Sequence, residues 1–426
     1  MKRLLSSRYF LPYFVTQALG ALNDNLFRFA LMFSLAFVAA DSLPANLNVI
    51  MNLAAGLFIL PFLLFSPLAG RLADRLDKAV LARWLKGSEL LLMVLAAIGF
   101  WLQAWLFLLA LVFFMGTQSA LFGPLKYALP PQHLPVNRLP AANGWVAMGT
   151  FGAILLGTVG AGWIVDWASE HQQPGLIGMI VVAIALVGLV AAWLIPAAPP
   201  TGVTAVAAIN PLRDAWRTLQ AARSGILPVV LGISWFWFVG SGYLTQFPNF
   251  TRETLQADER VGSLLLALFA IGVGSGAVLA GQFTRGRSAR YLVPVAALCV
   301  AVLGVPWYLL AAQFPIVPML DVAGLAAHPA GLGLMACIFL TGMAGGAYIV
   351  PLYTFLQRRS PRNRRAATIG ALNVVNALFM IASALSGMLL FGVLDISLPT
   401  FFAVFSATGL PVAWLAWRMI RRQPAR

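Results

Sequence analysis

The chain has 426 residues, 61% hydrophobic and 10% charged, with a mean hydropathy of +0.87. Soluble domains are about one-quarter charged, so an ordinary soluble enzyme is excluded and a polytopic membrane protein is indicated. The net charge of +15 fits a positive-inside bias without any need for nucleic acid, while two cysteines in apolar runs and three scattered histidines give neither a disulfide framework nor a metal cluster.

A membrane span needs about 20 apolar residues. Twelve candidates lie near 9–40, 47–70, 79–101, 104–129, 138–166, 174–196, 225–250, 260–283, 289–313, 332–357, 364–392 and 396–420. The first follows Lys2, Arg3 and Arg8 but runs far past a signal-peptide core, so it reads as a retained helix. With the N-terminus cytoplasmic, all Lys and Arg except Arg28, Lys126, Arg252 and Arg260 fall in inner segments. Asp41, Asp166, Glu170, Glu253, Asp258, Glu259, Asp321 and Asp395 fall outside. The expected fold is therefore an all-α polytopic membrane protein of twelve transmembrane helices, both ends cytoplasmic, in a bacterial inner membrane. The spans leave no room for a soluble catalytic domain.

In span 1, Asn23, Asp24 and Asn25 lie mid-membrane, where an ionisable group costs roughly 3 kcal/mol or more. Arg28 follows Asp24 at i+4 and can pair with it. The pair is either a neutralised strut between helices or a polar site in a central cavity. Were transport proton-coupled, Asp24 would be the first group to titrate. The loop after span 2 reads GRLADRLDK, Gly70 to Lys78. Gly70 permits a tight helix exit, Asp74 can accept from a helix N-terminus, and Arg75 and Lys78 anchor at the inner surface. Glu89 in span 3 reads as packing beside inner-loop bases. In span 4, Lys126 sits between Pro124 and Pro130. It either snorkels to the inner headgroups or meets a phosphate or an acid. Gln17, Asn52, Gln118 and Ser119 suit interhelical hydrogen bonds or a cavity wall. The glycines at 149, 152, 157, 160 and 162 in span 5, and at 272, 274 and 276 in span 8, permit close helix contact.

The linker after span 6 is Pro/Ala/Thr-rich and then forms a short helix capped by Asn210, with Leu212, Trp216 and Leu219 on one face and Arg213 and Arg217 on another. It is either a plain tether or a helix on the inner leaflet. In span 7, Trp235, Trp237, Tyr243, Gln246 and Asn249 form either an interfacial belt or a wall for an acyl or glycerol moiety. Asn373 and Asn376 are candidates in span 11. An internal repeat joins the halves: Pro124-Leu matches Pro351-Leu, and PVNR at 135–138 matches PRNR at 361–364. Domains follow: a six-helix bundle at 1–196, a cytoplasmic linker at 197–223 and a second bundle at 224–426.

The Gly70–Lys78 loop resembles the signature loop of the major facilitator superfamily, G-x-L-x-D-R-x-x-[RK]. The counterpart GQFTRGR (Gly281–Arg287) lacks the Asp. The resemblance implies the major facilitator fold, spans 5 and 8 facing each other across the halves, and Asp74 as a gating group meeting span 11 near Arg364 and Arg365. QALGALNDNLFRFAL (Gln17–Leu31) and QSALFGPLKYALP (Gln118–Pro130) further resemble the lysophospholipid transporter branch, including the transporter domain that some bacteria fuse to an acyltransferase and an acyl-carrier-protein ligase; no such fused enzyme is expected here. This implies an alternating-access transporter that moves lysophospholipids from the outer to the inner leaflet. The site would be Asp24, Asn25, Asn23, Arg28, Lys126 and Gln118, the signature group Gly70, Asp74, Arg75, Lys78 and Arg364. A separate membrane acyltransferase is a candidate partner. Proton-coupled efflux of small hydrophobic compounds is the alternative. No Walker-A loop is present, and the glycines of span 8 follow no strand, so no ATP-driven pump, dinucleotide site, cofactor or enzyme activity is expected. A monomer is expected.

Overall fold

The computed structural model describes residues 2–37, 47–202, 210–222, 225–283, 289–312, 314 and 320–421. Of the charges counted above, Asp41, Arg223, Arg285, Arg287, Arg422 and Arg426 lie outside the described residues, as do residues 203–209 of the linker and the side chains of Lys2, Arg3, Asn52 and Arg290.

Twelve helical traverses follow one another. They are α1 (Leu11–Phe37), α2 (Leu47–Arg75), α3 (Lys78–Trp101), α4 (Trp105–Ala128), α5 (Leu139–Glu170) and α6 (Gly175–Trp193). Then come the short α7 (Pro211–Gln220), α8 (Ile226–Asn249), α9 (Glu259–Phe283), α10 (Ala289–Ala312), α11 (Pro329–Arg359) and α12 (Arg365–Gly392). The last traverse is made of α13 (Leu398–Ala407) and α14 (Gly409–Arg421). Among the described residues, eleven traverses are long and apolar enough to cross a membrane. The other is α1, whose 27 residues include Gln17, Asn23, Asp24, Asn25 and Arg28. The polar run that marks α1 as a candidate site also lowers its hydropathy.

Backbone chemistry sets the ends. Asp77 caps α3, accepting from Ala79 N at 2.8 Å and Val80 N at 3.2 Å. Asn210 caps α7, with Pro211 in its first turn. After α3, Gln103 takes φ 52°, its N–H bonding Phe100 O while Ala104 N bonds Gly99 O at 2.9 Å. Gln172 repeats this after α5, at φ 53°. Both are Schellman closures with glutamine where glycine is usual. Prolines stand inside α2, α4, α8, α10 and α11. In a membrane the freed carbonyls are satisfied by neighbouring groups.

The residues form two compact units, neither contiguous in sequence. The first holds Met1–Val136, Ala153–Leu227 and Gln357–Ala377. In it α2 packs on α4, α6 packs on α3 and α1, and α7 lies against α2. Its apolar core is Phe27, Leu31, Met93, Phe100, Val112, Val165 and Val181 with their neighbours. The second holds Asn137–Gly152, Pro228–Leu356 and Leu378–Arg426. Its centre is aromatic. Trp307 and Phe402 stack at 4.5 Å, and Tyr243, Phe247 and Phe250 surround them. The belt reading of span 7 therefore fails for two residues: Tyr243 is fully buried with its hydroxyl 2.5 Å from Ser406 Oγ, and Trp235 is buried and donates to Thr408 Oγ1 at 2.9 Å. Gln246 and Asn249 bond each other on the exposed end of α8.

Glycines in α9 divide their work. A Cβ at Gly272 or Gly276 would strike the backbone of Phe339 or Met343 in α11, and one at Gly342 or Gly346 would strike α9 in return. Gly274 meets Met148 of α5, and Gly144 meets Ala277. Of the three α9 glycines, Gly274 makes the contact with α5. The other two serve α11, because successive glycines on a helix point in different directions.

Candidate functional site

The site is built on α1, α3 and α4 of the first unit. Lys86 Nζ donates to Glu89 Oε2 at 2.5 Å, one turn along α3, and both side chains are 1% exposed. Glu89 also accepts from Asn23 Nδ2 at 3.3 Å and from Gln118 Nε2 at 3.2 Å. Gln118 Nε2 lies 3.2 Å from Leu85 O as well. These four buried side chains join three helices.

Beside them, Ser119 Oγ donates to Asp24 Oδ2 at 2.5 Å and lies 3.4 Å from Gln118 Oε1. Asp24 Oδ1 is buried with no hydrogen-bond partner among the described residues. Asp24, Arg28, Ser119 and Lys126 are only half-buried, in contrast to the network beside them.

The expected Asp24–Arg28 pair does not form. Among the described residues no ion pair joins them. Arg28 Nη2 instead donates to Asn25 Oδ1 at 2.9 Å, while Asn25 Nδ2 holds Ala21 O at 2.7 Å. The guanidinium lies over the Phe29 and Phe58 rings, at 5.1 and 4.8 Å from their centroids. The i+4 spacing permits a contact, but the rotamer follows the aromatic faces of α1 and α2.

Lys126 is held near the end of α4. Its backbone carbonyl accepts from Tyr13 Oη at 2.5 Å, and its ammonium lies 5.6 Å from the Tyr127 ring centroid. Asn373 of α12 faces the same helix: a Cβ on Gly123 would be 2.6 Å from its Nδ2. Gly157 of α5 comes close to α1 at the polar segment. A Cβ there would lie 2.8 Å from Leu22 O and 2.9 Å from Asn25 Cβ.

Sequence reasoning misplaced two lysines. Lys86 was expected among the inner-loop charges, and the fold buries it because α3 begins at Lys78 and carries it more than two turns inward. Gly188 makes the space, since a Cβ there would lie 2.7 Å from Lys86 Nζ. The signal in the sequence was Lys86 and Glu89 at i+3 on one face. Lys78 was expected as a surface anchor. It is 1% exposed, with Nζ 3.4 Å from Thr201 Oγ1.

Around Lys78, Asp74 accepts from Ala366 N at 3.1 Å and Ala367 N at 2.9 Å, the first turn of α12. Its own carbonyl accepts from Thr201 N and Gly202 N. Gly70 allows this approach: a Cβ there would lie 2.5 Å from Ala366 O. The helix dipole and two free N–H groups favour a carboxylate at this point. Arg71 forms an ion pair with Asp214 of α7, whereas Arg75 and Arg364 are exposed. Among the described residues no group of His, Cys, Asp and Glu could hold a metal ion.

The sequence profile described as Major Facilitator Superfamily matches residues 13–326. The "Lysophospholipid transporter LplT" of Serratia proteamaculans (strain 568) is 26% identical over 382 residues, 87% of this chain and 84% of that one. Its namesake in Escherichia coli (strain K12 / DH10B) is 24% identical over 416 residues, 94% of each. Among solved structures, the human organic anion transporter MFSD10 (TETRAN) superposes with a TM-score of 0.71 at 14% identity, covering 97% of this chain and 99% of that one. The proton:xylose symporter XylE gives 0.69 at 13% identity, covering 97% and 96%. At those identities the structural likeness is one of fold.

Proposed function

The chain belongs to the Major Facilitator Superfamily, and on that premise we propose that it carries lysophospholipids from the outer to the inner leaflet of a bacterial inner membrane. The observation that supports this cargo is the half-buried set Asp24, Arg28, Ser119 and Lys126 on otherwise apolar helices. A zwitterionic headgroup offers an ammonium and a phosphate. Asp24 takes the ammonium through Oδ1, which has no donor among the described residues. Lys126 and Arg28 take the phosphate as charge-assisted donors. Asn23, Glu89, Lys86 and Gln118 hold α1, α3 and α4 in register beneath them. The LplT relatives, similar over most of their length, support the same class of cargo.

Movement is by alternating access, with Asp74 on the first turn of α12 as a latch that Gly70 makes possible; Arg75, Lys78 and Arg364 complete this gating group. Both termini are cytoplasmic, and the chain acts as a monomer. Lysophospholipid delivered to the inner leaflet is a substrate for re-acylation, so a separate membrane acyltransferase is the natural consumer.

The test is uptake of labelled lysophosphatidylethanolamine into spheroplasts at matched expression, comparing the unmodified protein with Asp24→Ala and Lys126→Ala. Protein-dependent uptake that falls in both variants supports the reading. Uptake no higher than in the empty-vector control overturns it. The alternative is proton-coupled efflux of small hydrophobic compounds, for which Asp24 is the titrating carboxylate; drug efflux under a proton gradient that Asp24→Asn abolishes would establish it instead.

A further inference from the structure

Helix α7 has three faces, and among the described residues only one is packed against the rest of the chain. Asp214, Ala215 and Leu219 are buried, and Asp214 pairs with Arg71 at the end of α2. Leu212 and Trp216 are 46% and 53% exposed and adjoin on the helix surface. Arg213 and Arg217 are exposed beyond them, with no carboxylate partner among the described residues. The one carboxylate of α7 is taken by Arg71, so its free surface grades from apolar to purely cationic.

The height of that surface is fixed. The Arg71–Asp214 pair ties α7 to the C-terminal part of α2, a helix long and apolar enough to cross a membrane. At the same end of the unit, Trp84 of α3 is 75% exposed and Trp193 of α6 is 63% exposed, with Arg83 5.0 Å from the Trp193 ring centroid. Exposed tryptophan beside arginine marks the boundary between acyl chains and headgroups. A helix held at that level, apolar on one side and cationic on the next, has the chemistry of an interfacial helix.

We propose that α7 is a docking site for the anionic lipid headgroups of the leaflet it borders, with Leu212 and Trp216 in the acyl boundary and Arg213 and Arg217 on the headgroup phosphates. The occupant is the bilayer itself. The site is separate from the Asp24–Lys126 cluster and independent of what the protein carries. Its tether joins α7 to Arg71, the residue next to Gly70, so docked lipid bears on the segment that holds Asp74 against α12.

The test places an environment-sensitive fluorophore on Gln220→Cys, an exposed α7 position, in a Cys299→Ser/Cys337→Ser background. The protein is reconstituted into nanodiscs of phosphatidylcholine alone or with phosphatidylglycerol. Phosphatidylglycerol is expected to shift the emission to the blue and to make it quenchable by brominated lipid. Each arginine near an anionic surface contributes about five-fold to the docked-to-undocked ratio, so Arg213→Gln/Arg217→Gln lowers it roughly 25-fold. Both substitutions are on the surface, and an unchanged elution volume confirms folding. Emission that ignores phosphatidylglycerol, or a lipid response unchanged by the double substitution, overturns the proposal. So does release by inorganic phosphate at an ionic strength where chloride has no effect, since the occupant is then a free anion.

Discussion

Lys86 and Glu89 form the most consequential buried contact in the first unit, and a double-mutant cycle measures it. Lys86→Met keeps most of the side-chain volume against Gly188 and removes the ammonium. Glu89 is then a fully buried carboxylate held only by the amides of Asn23 and Gln118, at 3.3 and 3.2 Å. Breaking a buried pair from one side costs about 3–5 kcal/mol. Glu89→Gln breaks it from the other side at a similar cost. The double variant Lys86→Met/Glu89→Gln carries no buried charge, and its single amide carbonyl keeps one of the two bonds that Asn23 and Gln118 make to different Glu89 oxygens. A neutral replacement of a buried pair is close to energetically even, so the double variant should fall within about 2 kcal/mol of the unmodified protein. Reversible unfolding in micelles, followed by circular dichroism, gives the four free energies. A coupling above about 2 kcal/mol is expected. Single variants that add to within about 0.5 kcal/mol would refute the reasoning, since the charges would then be solvated or apart.

Three further outcomes follow from the geometry. Asp74→Asn leaves one carbonyl oxygen for two helix N–H groups, a loss of about 1–3 kcal/mol, so amide exchange at Ala366 and Ala367 should quicken about ten-fold or more while distant amides are unchanged. Gly157→Ala presses a methyl on Leu22 O and Asn25 Cβ and should lower stability by about 1–3 kcal/mol, whereas Gly152→Ala, with nothing within 4 Å in a helix interior, should leave stability unchanged or raise it by up to about 1 kcal/mol in the same unfolding assay. Gln103→Gly relieves a left-handed residue at φ 52° and should raise stability by up to about 1 kcal/mol; a decrease would mean that the Gln103 side chain makes contacts worth more than the strain.

The sequence by itself determined the traverses, the helix capped by Asn210 and the polar segment of α1. Each of these is local: apolar run length, capping chemistry and the cost of charge in hydrocarbon act within one segment. The Gly70–Asp74 motif was legible through its resemblance to the superfamily's signature loop, since a small residue and a carboxylate one turn apart do not by themselves name the helix they meet. Tertiary structure decided the partners. That Asp24 turns to Ser119, and Arg28 to Asn25 and two phenylalanine rings, depends on α2 and α4 lying beside α1. That Lys86 and Lys78 are buried depends on Gly188 and Thr201, each more than 100 residues away in the chain. The aromatic burial of Tyr243 and Trp235 likewise needs α10 and the last traverse. A lysine near a helix end looks the same in sequence whether water or a glycine faces it, and only the packed neighbour distinguishes the two.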